Sequence, residues 1–201
     1  MKGRQMKDFI LASASPRRRE LMELMGIDFE VLVSDADESA VPKDLPIKLY
    51  VQELALLKAT AIAKYVLHNK KAHIIAADTV VTLDGKILGK PKNKADAINM
   101  LTELSGKTHE VYTGICVMRM SDAKSVCKAV CTRVSFKKLT AEKIEAYVKT
   151  KEPMDKAGAY GIQGKGSMLI DGIEGDYFNV VGLPVAALSA LLEEEFDITV
   201  L

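Results

Sequence analysis

The spacing of apolar residues along the chain alternates between the two-residue period of strands and the longer period of helices. A short buried strand is predicted at 8–12 and an alternating strand at 28–34, with a helix between them that begins at Pro16 and ends at Gly26. Interleaved strands and helices with adjacent hairpins indicate the α/β class with a mixed sheet. The later predictions, in chain order, are a helix over 47–69, a strand over 73–81, a helix over 94–104, strands over 109–120 and 125–138, a helix capped by Thr140, strands within 167–181 and a helix over 183–196.

A chain of 201 residues has the length of one domain, residues 1–201, built as a single body or as two small lobes around a cleft. Lysine and arginine number 28 against 27 aspartates and glutamates, and this balance argues against a protein that coats nucleic acid or an acidic membrane. No apolar run approaches the roughly 18 residues of a membrane helix, and the basic N-terminal segment has too short an apolar stretch for a signal peptide. Three cysteines without metal-ligand spacing are expected to stay reduced, so we expect a cytoplasmic protein.

A carboxylate interrupts a predicted strand that is otherwise apolar on both faces. Asp78 lies between the aliphatic runs 74–77 and 80–81, where a charge is costly unless it is paired, hydrogen-bonded or bound to a metal. A strand end at which Asp78 caps a backbone group is the alternative. Thr79, the next residue, is also compatible with an ordinary strand former.

A lysine occupies the apolar stripe of the longest predicted helix. Lys58 is four residues after Leu54 and four before Ile62, on the face that should be buried. Its stem can extend along the stripe and carry the ammonium to water. If the ammonium is buried instead, it needs an anion, and Asp78, Glu38 or a phosphate would serve.

Two further segments have the composition of ligand sites. The segment 13–18 (SASPRR) joins the first strand to the first helix and combines hydroxyls, backbone N–H groups and two guanidiniums, which suits an anion; a serine cap with solvated arginines is the alternative. The glycine-rich segment 155–166 permits close approach of a ligand, and Gln163 offers the donor and acceptor that a base edge needs; a flexible loop is the alternative. Cations, carboxylates and a base-reading loop together suit a magnesium-bound nucleotide polyphosphate.

The order of several motifs resembles that of the Maf family of nucleoside triphosphate pyrophosphatases, over nearly the whole chain. A chance match would not keep so many motifs in one order. The motifs are Leu11–Arg18 (LASASPRR), Glu38, Lys58-Ala59, Ala77–Val81 (ADTVV), Gly89-Lys90-Pro91, Leu104–His109 (LSGKTH), Tyr112-Thr113-Gly114, Glu152–Gly164 (EPMDKAGAYGIQG) and Val180–Pro184 (VVGLP).

The resemblance implies an inosine-triphosphatase-like α/β fold, with a long mixed sheet, flanking helices and two lobes around a central cleft. It also implies hydrolysis of a nucleoside triphosphate between the α and β phosphates, which gives a monophosphate and pyrophosphate. The family's reaction requires a divalent cation, Mg²⁺ or Mn²⁺. A homodimer is common in the family, so we expect one here.

Site residues carried over by motif position are a proton acceptor, metal ligands and phosphate contacts. The resemblance implies that Asp78 is the proton acceptor that activates water and that Glu38 and Asp78 bind the metal. The positions that hold phosphate oxygens in the family are here Ser13, Arg18, Lys58 and Lys90, and Lys156 is expected to add a further contact.

Three positions separate the subgroups of the family, and they are here Arg17, Thr79 and Gln163. With these residues the sequence resembles the members that act on dTTP and UTP. Gln163 would bond a uracil or thymine edge, and the methyl group of thymine needs only space, which would explain why both bases are accepted. The expected function is therefore hydrolysis of dTTP and UTP, with modified pyrimidine triphosphates as further substrates. The alternative is a regulatory nucleotide-binding protein linked to septum formation and cell-division arrest, in which hydrolysis is incidental.

Overall fold

The computed structural model describes residues 7–201, and the expectation about the N-terminal segment therefore lies partly outside the described residues. Short 3-10 helices occupy Glu38–Ala40, Glu152–Asp155, Ala157–Ala159 and Gly164–Leu169. Within residues 7–201, no helix is long and apolar enough to span a membrane. The strands and α-helices are, in chain order, β1 (Phe9–Leu11), α1 (Pro16–Leu24), β2 (Phe29–Val31), α2 (Ile47–Ala63), β3 (His73–Leu83), β4 (Lys86–Leu88), α3 (Lys94–Leu104), β5 (Thr108–Arg119), β6 (Ser125–Phe136), α4 (Ala141–Lys149), β7 (Ile170–Glu174), α5 (Tyr177–Val181) and α6 (Val185–Phe196).

Local capping chemistry sets the helix boundaries. The Ser15 hydroxyl accepts the N–H of Arg18 at 3.4 Å, and Pro16 at the first helical position has no N–H to satisfy. Thr140 caps α4 as predicted, because its hydroxyl accepts a backbone N–H at 3.3 Å. Gly26 follows α1 with a φ of 71°, a conformation that glycine adopts without strain.

The helix predicted over 47–69 ends early, at Ala63. The N–H groups of Tyr65 and Val66 bond to carbonyls three residues back, at 2.9 and 3.2 Å, so the chain tightens into a turn. This turn buries Val66 completely and leaves Tyr65 54% exposed, although the predicted helix over 47–69 includes both residues. The prediction failed because the apolar period continues past the point where the helix stops.

The strands predicted within 167–181 are one strand and one helix. Only β7 is extended, and Tyr177–Val181 is helical. The Asp176 carboxylate accepts the N–H of Phe178 at 2.8 Å, and such a side-chain bond turns the backbone out of an extended conformation. An apolar run of this length does not by itself distinguish a strand from a buried helical turn.

The sheet has the strand order β2-β1-β3-β5-β6-β7, with β4 paired to β3. β1 pairs in parallel with β2 and β3, whereas β3–β4 and β6–β7 are antiparallel. The predicted α/β class with a mixed sheet is therefore confirmed.

The chain divides into two compact units: unit 1 is Met1–Asp78, Thr113–Val130 and Gly182–Leu201, and unit 2 is Thr79–Tyr112 and Cys131–Val181. The cleft predicted between two lobes stays a prediction.

The core of unit 1 lies between α2 and the strands of that unit. Ile10, Ile62 and Ile74 are at most 1% exposed. The helix comes close to β5 because Gly114 has no side chain: a β-carbon there would lie 2.1 Å from the carbonyl oxygen of Val51. The backbone of α2 therefore packs directly on the sheet at Val51.

The core of unit 2 contains a buried polar pair among aromatic rings. His109 is 1% exposed, and its Nε2 lies 2.7 Å from the hydroxyl of Tyr160. Phe136 packs edge-on against both rings. Burial lowers the pKa of His109 to about 4, so the ring is neutral at physiological pH. The pair anchors the glycine-rich segment, to which Tyr160 belongs, in the core of its unit.

Candidate active site

The Asp78 carboxylate, in the middle of β3, is bonded to the ammonium of Lys58 from α2. Nζ of Lys58 lies 2.5 Å from Oδ1 of Asp78, and the two side chains are 13% and 14% exposed. Asp78 is therefore ion-paired in the structure, and the Lys58 ammonium has an anionic partner instead of extending to water. Attraction between charges is stronger where little water screens them, so this contact fixes the carboxylate and the ammonium relative to each other.

A second carboxylate reaches the same ammonium from the connection between β2 and α2. Glu38 begins the 3-10 helix Glu38–Ala40, which Asp37 caps by accepting the N–H of Ser39 at 3.0 Å. Oε1 of Glu38 lies 2.8 Å from Nζ of Lys58, and the Glu38 side chain is 56% exposed. Lys58 therefore bridges a carboxylate fixed in the sheet and one on the surface.

The segment 13–18 orients a guanidinium through bonds within unit 1. Oγ of Ser13 accepts the N–H of Ser15 at 3.2 Å and Nη1 of Arg18 at 3.3 Å. Nε of Arg18 donates to the carbonyl of Gly182 at 2.8 Å. These bonds hold the planar fork of Arg18 in one orientation, which is the arrangement that binds phosphate or carboxylate oxygens well.

The charged residues of unit 1 act on one another. Burial lowers the pKa of Arg18, and the negative charges of Asp78 and Glu38 oppose that shift. The positive charge of Arg17 adds to the lowering. The Arg18 guanidinium therefore lies within electrostatic reach of both carboxylates that Lys58 bridges. Arg17, Arg18, Lys58, Asp78 and Glu38 form one cluster of three cations and two carboxylates.

Tyr50 of α2 belongs to this cluster but is not among the residues that the sequence predicts. Burial raises the pKa of its hydroxyl, and the charges of Asp78 and Glu38 raise it further. Tyr50 lies eight residues before Lys58, with Leu54 halfway between them, so the three share one face of the helix. That spacing is the signal in the sequence that points to Tyr50.

Four predicted site residues belong to unit 2, namely Thr79, Lys90, Lys156 and Gln163. Thr79 directly follows Asp78 in β3 and is half-buried. The N–H of Gly158 donates to the carbonyl of Gly89 at 3.1 Å, so the glycine-rich segment lies beside the residue that precedes Lys90. Lys90 itself is exposed. Unit 2 thus brings the Lys90 region and the glycine-rich segment together.

The glycine-rich segment has regular local structure instead of the flexible conformation left open by its sequence. Two 3-10 helices, Ala157–Ala159 and Gly164–Leu169, lie within it or extend from it. Gly158 has a φ of 67°, and a β-carbon there would lie 2.9 Å from Val81. This glycine is therefore required for packing on β3. Lys156 bonds to the Glu152 carbonyl at 2.7 Å and to the Asp155 carboxylate at 2.6 Å, whereas Gln163 is exposed.

Glu38 and Asp78 are the carboxylates that suit a divalent cation. Within residues 7–201, no group of three or more His, Cys, Asp or Glu side chains is placed to hold a metal ion. Mg²⁺ is commonly bound by one or two carboxylates together with substrate phosphates. Two carboxylates that already share a cationic partner fit that mode of binding, in which the remaining oxygen ligands come from a polyphosphate.

A bridged carboxylate pair and an oriented arginine are groups whose chemistry suits phosphate oxygens and a divalent cation. The chain belongs to the Maf family, since the profile described as Maf-like protein matches residues 8–195. It is 49% identical over 189 residues to a dTTP/UTP pyrophosphatase of Clostridium botulinum, which covers 94% of this chain and 97% of that one. It is 51% identical over 192 residues to a dTTP/UTP pyrophosphatase of Bacillus cytotoxicus, which covers 96% and 97%.

One solved structure has a weaker similarity to this chain. A HAM1 protein from Coxiella burnetii matches with a TM-score of 0.48 and 16% sequence identity, over 94% of this chain and 100% of that one. A similarity of this size carries no argument about function. The family assignment rests on the sequence relatives and on the profile match alone.

Proposed function

We propose that the protein hydrolyses nucleoside triphosphates between the α and β phosphates, with dTTP and UTP as substrates, and releases a monophosphate and pyrophosphate. The observation that carries the proposal is the bridge of Lys58 between Asp78 and Glu38 within reach of the Arg18 guanidinium. The relatives named dTTP/UTP pyrophosphatase, at 49% and 51% identity, support the same reaction and the same nucleotides.

Asp78 is the proton acceptor in this proposal. Within residues 7–201, the hydrogen bond of its carboxylate is made at Oδ1, to Lys58, which leaves Oδ2 to accept a proton from water. A carboxylate fixed by an ammonium at 2.5 Å needs no rearrangement before it acts. A positioned general base accelerates such a step about 10²- to 10⁴-fold.

Cationic side chains bind the phosphates in this proposal. Lys58 would exchange one carboxylate partner for a phosphate oxygen, and the Arg18 fork is oriented before the substrate arrives because Nε and Nη1 are already bonded. Ser13, whose hydroxyl accepts from Arg18, would turn its proton to a phosphate oxygen. Lys90 and Lys156 are assigned to phosphate oxygens as well, and Arg17, Thr79 and Gln163 to selection of the base.

Glu38 and Asp78 would hold Mg²⁺ or Mn²⁺ together with phosphate oxygens. When bound, the cation lowers the pKa of a coordinated water and offsets phosphate charge. Before that, the ammonium of Lys58 holds the two carboxylates together against their mutual repulsion. The acidic pair is therefore arranged in advance of the substrate, and the half-exposed Glu38 is the partner that is free to move toward it.

The test is incubation of the purified protein with dTTP, UTP and purine triphosphates in the presence of Mg²⁺ or Mn²⁺, with separate assays for pyrophosphate and orthophosphate. Pyrophosphate is expected from dTTP and UTP. The Asp78→Asn variant is expected to lose at least about 100-fold in kcat. Asp84→Asn, in the exposed turn at the end of the same strand, is the matched control and should keep full activity. Release of orthophosphate, or an active Asp78→Asn variant, would contradict the proposal.

A homodimer and a location in the cytoplasm are further parts of the proposal; the resemblance to the family supports the first, and three cysteines without metal-ligand spacing support the second. Light scattering on the purified protein measures the first, and cell fractionation measures the second. The regulatory alternative predicts tight nucleotide binding with negligible turnover. The nucleotide panel therefore distinguishes it from the enzyme without a further experiment.

A further inference from the structure

The Glu152 carboxylate accepts three hydrogen bonds, two of which come from the glycine-rich segment. Its Oε1 accepts the N–H of Gly166 at 2.9 Å and the hydroxyl of Tyr147 at 3.0 Å. Its Oε2 accepts the N–H of Lys165 at 3.1 Å. Each bond to a charged acceptor is stronger than a bond between neutral groups, so this end of the segment is firmly held.

Tyr147 holds the same segment on the other side of Gln163, at Gly161. Its hydroxyl accepts the N–H of Gly161 at 3.2 Å while it donates to Glu152. The ring is 5% exposed and belongs to the apolar core of unit 2, so the hydroxyl has a fixed position. We call Tyr147 and Glu152 the loop clamp, because together they bind backbone groups on both sides of Gln163.

The electrostatics of the clamp keep its carboxylate ionised. Burial alone would favour the protonated form of Glu152, but hydrogen bonds from Gly166, Lys165 and Tyr147, together with the charge of Lys156, outweigh it, and the pKa of Glu152 lies below its ordinary value. Burial raises the pKa of Tyr147, so its hydroxyl keeps the proton that it donates. At physiological pH the donor and acceptor roles in the clamp are therefore fixed.

Glycines of the segment have no space for a side chain because the clamp is so close. A β-carbon on Gly166 would lie 2.1 Å from the carbonyl oxygen of Gly161 and 2.7 Å from the hydroxyl of Tyr147. Gly164 has a φ of 65°, and a β-carbon there would lie 3.0 Å from the Glu152 carboxylate. Gly161 and Gly166 thus approach each other beside the clamp, and Gln163 lies in the turn between them.

We propose that Tyr147 and Glu152 are positioning residues for base selection, which act by holding the turn that presents Gln163. The inference rests on the proposed function, in which Gln163 reads the base. Gln163 is exposed, so its own side chain has few contacts that would fix it before a ligand binds. Its backbone, by contrast, is anchored two residues before and two residues after it, at Gly161 and Lys165. Loss of an anchor should therefore weaken discrimination between bases while every residue proposed to act in hydrolysis stays in place.

The experiment compares wild type with Tyr147→Phe, Glu152→Gln, Gln163→Ala and the double variant Tyr147→Phe/Gln163→Ala. Each is assayed for the ratio of kcat/KM with dTTP to kcat/KM with dATP. Tyr147→Phe keeps the ring but loses both hydroxyl bonds, and we expect the ratio to fall about tenfold. The matched control is Glu145→Gln, an exposed glutamate on the same helix α4, which should leave the ratio unchanged.

The double variant separates positioning from a merely structural role. If the clamp acts through Gln163, Tyr147→Phe changes the ratio no further once Gln163 is alanine. Hydrogen exchange at the N–H groups of Gly161 and Gly166 reports the clamp directly and should accelerate in both single clamp variants. Unchanged discrimination despite faster exchange would overturn the proposal, and so would equal losses with both nucleotides or independent effects in the double variant.

This inference can be tested separately from the proposed hydrolysis. If wild type binds dTTP but releases no pyrophosphate, the same ratio is measured from the dissociation constants of dTTP and dATP by titration. A fall of that ratio in Tyr147→Phe, absent in the Gln163→Ala background, supports the clamp even then. Equal affinity of wild type for the two nucleotides, or no binding of either, overturns it.

Discussion

Replacement of Lys58 tests how strongly each carboxylate is held at the candidate site. Lys58→Met keeps the length of the side chain and removes its charge, while Asp78→Asn and Glu38→Gln keep the shape of the two partners. Measuring the single and double variants gives a coupling free energy for each pair, with effects on the rest of the molecule cancelled. The two couplings share Lys58, so they differ only through the environment of the carboxylate.

The structure sets the expected magnitudes. Lys58 and Asp78 are 2.5 Å apart with side chains 13% and 14% exposed, and a charge-assisted bond at so little exposure contributes about 1.5–3 kcal/mol. Lys58 and Glu38 are 2.8 Å apart, but the Glu38 side chain is 56% exposed, so solvent screening reduces that coupling to about 1 kcal/mol or less. Distance alone would make the two pairs nearly equal, so exposure decides the ranking.

Urea unfolding provides the measurement. With a slope of roughly 2 kcal/mol per molar urea, a coupling of 2 kcal/mol moves the midpoint by about 1 M. Because the chain divides into two units, the free energies are used only where circular dichroism and tyrosine fluorescence give the same transition. The control cycle is Lys64 with Asp35, 3.5 Å apart and 55% and 62% exposed, where coupling near zero is expected. A Lys58–Glu38 coupling as large as that of Lys58–Asp78, or a Lys58–Asp78 coupling as small as the control, would refute the reasoning.

Three further predictions concern other parts of the molecule. Arg18→Lys cannot keep the hydrogen bonds to both Gly182 and Ser13, so kcat/KM for dTTP should fall about 10- to 100-fold in steady-state assays. The control variant Arg19→Lys, at an exposed position, should leave kcat/KM unchanged. His109 has a pKa of about 4 in the fold and 6.5 in the unfolded chain, so as the pH falls the unfolded chain takes up the proton first. The free energy of unfolding should therefore fall by about 3 kcal/mol between pH 6.5 and 4 because of this group. Urea titrations at both pH values should show that His109→Gln lacks that part of the decrease. Gly114→Ala would place a β-carbon 2.1 Å from a carbonyl oxygen, so it should lower Tm sharply or abolish folding. Gly172→Ala, whose β-carbon would have no atom within 4 Å, is the control and should change Tm little. Equal Tm values for the two variants would contradict the packing described for α2.

Charged residues in apolar patterns were predictable from the sequence for a physical reason. A charge on a buried stripe or in a buried strand needs a partner, so Lys58 and Asp78 are conspicuous even before their contact is known. The structure shows that each is the partner of the other. The end of α2 was not predictable in the same way, because Tyr65 and Val66 are both apolar enough to continue the stripe, and only the tertiary turn decides which is buried.

Glu152 shows what sequence patterns do not reveal. Its partners are mainly backbone N–H groups, which every residue except proline carries, so no spacing of side chains marks the site. Proximity to the glycine-rich motif is the only signal, and the resemblance that includes Glu152 assigns it no role. A residue that acts on the backbone of a loop therefore becomes visible only when the fold is known.

Packing and charge are linked at the candidate site through α2. Gly114 lets the helix backbone rest on β5, and the same helix carries Tyr50 and Lys58 toward the carboxylates. A protein interior deforms little, so a group that pushed α2 away from the sheet by even one ångström would lengthen the 2.5 Å contact of Lys58 with Asp78. The absence of a side chain at Gly114 is therefore one condition for the position of the helix that carries Lys58. Substitutions at that buried glycine should alter the candidate site even though the glycine contributes no charge to it.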